Sequence, residues 1–248
     1  GERELRTRLL VAADGSRSLA RTALGIGADE HDYGQTLVVC SLATDRAPDG
    51  TAWERFTDEG PVALLPMAGG HYGAICGVAR ERADAVLALD DAAYADYFQQ
   101  RFGWRAGRVR RVGRRSAYPL ARVVAERLVA PRAVLVGNAA QSIHPIGAQG
   151  FNLGLRDALA LAQRLEGGDP GEPGRLAAYA DSRREDRERT LAFSDGLARA
   201  TANDSFPMHV ARSLGLLALG HLPGLAAPLA SGAMGFRGEV PRLSRGQA

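Results

Sequence analysis

The sequence predicts a mixed α/β chain: two strand–turn–helix units flank a run of antiparallel strands, and helices fill the end. Three observations carry this. The stretch from Ala133 to Leu165 opens on a valine-rich apolar run, crosses a glycine-bearing loop and closes on apolar residues at helical spacing. A second apolar run, Arg8 to Ala13, meets an Asp14-Gly15 turn before another short helical segment. Between them, residues 31–127 carry apolar runs separated by glycine-bearing turns, the pattern of hairpin-connected strands.

In order, Arg8 to Ala13 reads as a buried strand, Asp14 to Ser18 as a turn and Ser18 to Leu24 as a short helix. Ligands gather at such strand ends in open α/β sheets, although Asp-Gly alone is a common turn. Tyr33–Ser41 and Trp53–Thr57 read as strands. Val62–Pro66 and His71–Val78 read as two more, joined through Ala68-Gly69-Gly70. Successive strands with tight turns imply an antiparallel sheet. Ala92–Phe102 reads as a helix capped by Asp90 or Asp91, and Val109–Leu120 returns to strand. Ala133–Val136 reads as a strand buried on both faces. Phe151, Leu155, Leu159, Ala162 and Leu165 then mark a helix that Gly167-Gly168 stop. Pro173 starts a helix through Arg199, whose mixed charges from Arg183 to Arg189 read as a solvated face. Pro207 starts another. Ser213 to Phe236 holds no charged residue, but Pro223, Pro228 and glycines interrupt it. Packed or interfacial helices are expected there rather than a membrane span. The tail from Arg237 reads as loose.

Composition narrows the function classes. Of 248 residues, 46% are hydrophobic and 24% charged, as in ordinary soluble chains. The net charge of +3 demands no nucleic acid. The arginines from Arg101 to Arg115 read as a solvated strand and loop, with attraction of a nicotinamide donor's phosphates as the minority reading. Cys40 and Cys76 stand apart without metal spacing, and no secretory signal opens the chain, so a reducing cytoplasm fits. No catalytic triad and no metal cluster is nominated; His144 lacks a second ligand at useful spacing.

Strand, glycine-rich loop and helix aim a helix N-terminus, with its free N–H groups, at whatever lies beyond the strand. Gly147 and Gly150 leave room for a flat ligand against the backbone, and His144-Pro145 hold the loop extended. On this physics two readings stay open: a turn facing an anion or cofactor, and an ordinary crossover.

The residues themselves carry a resemblance. Gly137-Asn138-Ala139-Ala140-Gln141, followed by His144 to Asp157 (HPIGAQGFNLGLRD), resembles the second flavin motif of the aromatic-ring hydroxylases built on the para-hydroxybenzoate hydroxylase fold. The wider group has Asp and His where this chain has Asn138 and Gln141. The branch of 2-polyprenyl-6-methoxyphenol hydroxylases of ubiquinone biosynthesis is similar to this chain at both, but reads Ala-Gly where Gly147-Ala148 stand. Asp14-Gly15, Ser18 and Arg21 resemble the group's first internal motif. Thr51 to Thr57 and Gly60 to Pro66 are close to the ubiquinone branch, and Arg184, Asp186 and Arg187 sit where the family carries an R-x-x-D-R-like signature.

The resemblance implies bound FAD, reduction by NADH or NADPH, and O2 as the source of oxygen for the ring of a polyprenyl phenol. It implies an α/β, para-hydroxybenzoate-hydroxylase-like fold without its N-terminal GxGxxG unit. Residues 1–27 and 128–168 would be the remaining FAD domain, 28–127 the substrate domain and 169–248 the C-terminal helices. Carried over by position, Asn138 stands at the ribitol-contacting position, Gly137 is a further cofactor-binding residue, and Pro145 lies beside the isoalloxazine. The backbone of Gly147, Gln149, Gly150, Phe151 and Asn152 meets the ring's pyrimidine edge, and Asp14, Gly15 and Arg21 belong to the outer cofactor site. Arg55, Phe56 and Leu65 are the substrate-side candidates. The chain is expected to be the later part of a longer monooxygenase and to hold flavin poorly by itself, since GxGxxG supplies the pyrophosphate contacts. The alternatives are a hydroxylase of another phenol or alkene, and a non-catalytic scaffold in a membrane-associated complex. The apolar C-terminal run fits contact with the inner face of the membrane or packing within the protein.

Overall fold

Glycine-bearing turns and short apolar runs give sixteen helices and strands in a computed structural model that describes residues 4–57, 59–146, 149–202, 206–222 and 224. The elements begin with β1 (Leu10–Ala12), α1 (Leu19–Ala23), β2 (Ala28–Thr44), β3 (Trp53–Thr57), β4 (Gly60–Met67) and β5 (His71–Ala79). Then come α2 (Ala83–Leu87), α3 (Asp91–Phe102), β6 (Val109–Val112), β7 (Ser116–Ala125), β8 (Val129–Ala130), β9 (Ala133–Leu135) and β10 (Gln141–Ser142). Helices α4 (Gln149–Arg164), α5 (Pro173–Ala202) and α6 (Phe206–His221) follow. The chain forms two compact units, one of Gly1–His31, Ala121–Ala198 and Ser213–Ala248, the other of Asp32–Leu120 and Arg199–Arg212.

In the first unit β1 pairs parallel with β9, Leu10 opposite Ala133 and Ala12 opposite Leu135, and β9 pairs antiparallel with β8. All of β9 is buried, as its unbroken apolar run predicts. Strand β1 is shorter and wetter than expected: Leu10 and Val11 are exposed because β1 lies at the sheet's edge among the described residues. Val134, Leu135, Ala139, Leu161, Leu176 and Tyr179 form the core.

Helix α4 forms where the apolar spacing predicts it, but that spacing does not mark its buried face. Phe151, Leu155 and Ala162 are exposed, and the buried face carries Leu153, Arg156, Asp157, Ala160 and Leu161. The helix has apolar residues on both sides, and an inward ion-pair network selects the charged one.

The second unit is the antiparallel sheet that the turn spacing predicts. Pairs β2–β5, β2–β6, β3–β4 and β4–β5 are all antiparallel. Gly69 and Gly70, with φ of 86° and 75°, make the β4–β5 turn in a region that favours glycine. Alternation puts Val38, Cys40, Val62, Leu64, Ala74, Cys76 and Val78 on one face, where Tyr94, Phe98 and Phe102 of α3 cover them. Asp90 caps α3 by accepting the Ala93 N–H at 2.8 Å. Gly113 to Arg115 divide the expected strand 109–120 into β6 and β7.

Candidate active site

The parallel register of β1 and β9 sets their C-terminal tips side by side. The Val136 N–H donates to the Ala12 carbonyl at 3.0 Å, so the Asp14-Gly15 turn and the Gly137-Asn138 turn leave neighbouring strands in the same direction. Arg21 ties the two turns together. Its buried guanidinium donates to the carbonyls of Ala139 and Ser16, both at 3.0 Å. Arg21 is thus committed to backbone and shapes the loops.

Asp14 acts first on its own helix. Its carboxylate accepts from the Ser18 hydroxyl and from the Ala20 N–H, and these bonds hold its pKa below the usual carboxylate range. Ser18 in turn accepts the Arg21 N–H at 2.9 Å. Gly15, at φ 91°, has open space where a side chain would stand.

Gly137 begins a 3-10 turn through Ala139 at φ 59°. It sits against Gly154 of α4: a Cβ on Gly154 would stand 3.1 Å from the Gly137 Cα. Two glycines therefore let the first turns of α4 close on the strand tip. Asn138 is exposed, and its amide has no partner among the described residues. Pro145 and Gly150 are half-buried, Gln149 is buried, and Phe151 and Asn152 are exposed. Gly147 lies outside the described residues. His144 is buried, and burial lowers its pKa to about 4 against the opposing pull of Asp195. Its Nδ1 accepts the Ile146 N–H at 3.2 Å and its carbonyl accepts the Ser194 hydroxyl at 3.1 Å, so it braces the loop.

Behind this loop lies a buried network. Asp157 accepts from Gln141 Nε2 at 2.5 Å and from Arg183 Nε at 2.8 Å. Asp186 accepts two bonds from Arg156, at 2.7 and 3.3 Å, and one from Arg183. Arg187 donates to Gln141 Oε1 at 2.9 Å and to the carbonyls of Ala125 and Ala140. Gln141 must therefore accept on one side and donate on the other, which an amide does. Burial pushes the Asp157 carboxyl up, against the pull of Arg183. Burial acts the same way on Asp186, yet the bonds from Arg156 and Arg183 hold it low. The signature on α5 is thus Arg183, Asp186 and Arg187; Arg184 instead pairs with Asp181 at the surface. The run divides: Arg184, Glu185 and Glu188 are exposed, as a solvated face predicts, whereas Arg183 is only 1% exposed and turns inward.

The substrate-side candidates separate. Arg55 pairs with Val62 across the β3–β4 ladder, on the face that α3 covers. Phe56 pairs with Pro61, which shares the opposite face with Leu65. Sheet geometry brings Phe56 and Leu65 to one side and puts Arg55 on the other.

Residues 1–194 match the family profile described as "FAD binding domain". The chain is 40% identical over 250 residues to "Ubiquinone hydroxylase UbiL" of Rhodospirillum rubrum, covering 98% of this chain and 58% of that protein. It is 31% identical over 231 residues to the "3-demethoxyubiquinol 3-hydroxylase" of Escherichia coli, covering 88% and 57%. The chain thus spans less than two-thirds of these relatives' length. The p-nitrophenol 4-monooxygenase PnpA of Pseudomonas putida shares the fold with a TM-score of 0.74 at 19% identity, over 92% of this chain and 60% of that one. The expected para-hydroxybenzoate-hydroxylase-like architecture is the one found, and the chain belongs to the FAD binding domain family.

Proposed function

We propose that this chain is part of a flavin-dependent monooxygenase that hydroxylates the ring of a polyprenyl phenol in ubiquinone biosynthesis, using NAD(P)H and O2. One observation carries the reading: the β1–β9 register brings the Asp14-Gly15 and Gly137-Asn138 turns to one place, beside the first turns of α4. The names of the ubiquinone hydroxylases to which the chain is similar support the substrate class. FAD, when bound, supplies the two-electron and O2 chemistry. The open space at Gly15 and the unpartnered Asn138 amide fit such a group.

In this reading, residues 1–27 and 128–168 form the cofactor side and residues 28–127 the substrate side. Asn138 donates to or accepts from a ribitol hydroxyl. Pro145 flanks the ring, and the backbone from Gln149 to Asn152 faces its polar edge. There the N-terminal end of α4 favours negative charge, by roughly 0.3–2 kcal/mol. Phe56 and Leu65 offer apolar surface to a phenol. Gln141, Asp157, Arg183 and Arg187 hold the loop without touching reactants. Val210, Leu214 and Leu217 of α6 are exposed at i, i+4 and i+7, which supports contact with a membrane surface that holds the polyprenyl substrate. Among the described residues no helix is long and apolar enough to cross a membrane.

Deleting the encoding gene and following quinones by mass spectrometry tests the reaction. Accumulation of a polyprenyl phenol one hydroxyl short of the next intermediate is expected. An unchanged quinone profile, in a strain without a second ring hydroxylase, rejects the proposal. Liposome flotation tests the membrane contact: recovery with vesicles that Leu214→Glu and Leu217→Glu abolish is expected, and no flotation rejects it.

A further inference from the structure

A cleft of about 390 Å³ opens in the second unit where β3 meets the end of α3, lined by Trp53, Glu54, Arg55, Phe102, Gly103, Trp104 and Arg105. Its size is within the range of small-molecule sites. Trp104 is 65% exposed, although large apolar side chains on a surface usually turn inward. Arg105 lies over the Trp53 indole, its guanidinium carbon 5.9 Å from the ring centroid. Gly103, at φ 93°, ends α3 without a side chain, and a Cβ there would stand 3.6 Å from Arg55 Nη1.

Several arginines of this unit are paired, although Arg46, Arg108, Arg111 and Arg114 have no ion-pair partner among the described residues. Arg101 pairs with Glu59 at 3.0 Å, Arg115 with Asp91 at 2.8 Å and Arg110 with Asp45 at 3.5 Å. Arg55 and Arg105 have no ion-pair partner among the described residues. Arg55 and Arg105 bring two guanidinium groups to the cleft, while strand alternation turns the Glu54 side chain to the opposite face with Phe56. Indole faces take a flat ring, and a guanidinium fork takes a carboxylate in two parallel bonds.

We propose that this cleft binds a small planar aromatic carboxylate, with its ring against Trp53 and Trp104 and its carboxylate on Arg55 and Arg105. The site lies wholly in the sheet-and-helix unit and does not rest on the flavin reading. Trp53 and Trp104 are the chain's two tryptophans, so indole emission reports this cleft alone. The purified chain, without added flavin, is titrated with benzoate, benzamide, cyclohexanecarboxylate and inorganic phosphate. Saturable quenching by benzoate is expected, with weaker binding of cyclohexanecarboxylate and none of benzamide or phosphate. Arg105→Gln and Arg55→Gln each weaken benzoate roughly tenfold or more, and Arg105→Lys, which keeps charge but loses the fork, falls between. Both positions are exposed, and circular dichroism checks the fold of each variant. No saturable response to benzoate, equal binding of benzamide, or unaltered binding by both glutamine variants overturns the proposal.

Discussion

Arg183 shows how a charged residue can belong to a core. Leu176, Tyr179, Arg183, Thr190 and Ser194 are buried at steps of three, four, seven and four residues along α5, so one stripe runs inward whatever its chemistry. The sequence shows a charged run there and reads as surface; the same spacing, continued from Leu176 and Tyr179, was the available signal. Because Asp157 neutralises Arg183 in the interior, Asp157→Ala leaves a buried guanidinium with one fewer counter-ion. A loss of about 3–5 kcal/mol is expected from urea unfolding, whereas Arg184→Ala, at the surface, should stay within about 0.5 kcal/mol. His144 gives a pH test. Its folded pKa of about 4 lies below the ordinary 6.5, so the unfolded chain takes up the proton first. Stability from this group is complete above the ordinary value and is lost as pH falls from 6.5 towards 4. His144→Asn keeps an acceptor for the Ile146 N–H and removes the titration. Melting temperature against pH should be flatter across that window than in the parent chain, and an equally steep profile would reject the assignment.

At the scale of elements, legibility followed burial. Hairpin β4–β5 was readable because its alternation is set by a covered face and its turn by two glycines at positive φ. Strand β9 was readable as an unbroken apolar run. Strand β2 starts at Ala28, earlier than its apolar part, because residues 28–34 are mostly exposed and carry no burial period. Helix α4 was legible from its apolar spacing, but that spacing does not mark its buried face, because Phe151 and Leu155 are exposed. The close approach of α4 to the Gly137 turn depends on Gly154. Gly154→Ala adds a methyl 3.1 Å from the Gly137 Cα, where backbone must yield. Overpacking of about 1–3 kcal/mol is expected, against up to about 1 kcal/mol gained in helix propensity. The net outcome is a lower urea midpoint with an unchanged slope; a raised midpoint would show that the turn yields freely.

For the whole molecule, the sequence motifs named the two turns, but only the β1–β9 pairing explains why residues more than a hundred positions apart meet. The pairing partner of a short strand is not written in its own residues. Under the proposed function, the same pairing sets which parts of a flavin the two turns would meet. On that proposal, Asn138, the Pro145 loop and the start of α4 are the parts that would meet the ring and the ribitol. No GxGxxG stands anywhere in the 248 residues, so nothing of that kind grips a pyrophosphate. Riboflavin, FMN and FAD should then bind the isolated chain with similar, weak affinities, because the parts they share are the parts held. Equilibrium dialysis of the three against the purified chain measures this. Asn138→Ala should weaken all of them alike, by about 0.5–1.5 kcal/mol for one lost hydrogen bond. FAD binding tighter than riboflavin by about tenfold, or about 1.4 kcal/mol, would mean that the chain carries an adenosine or pyrophosphate site outside the two turns. Indifference of all three ligands to Asn138→Ala would place the ring elsewhere on the protein.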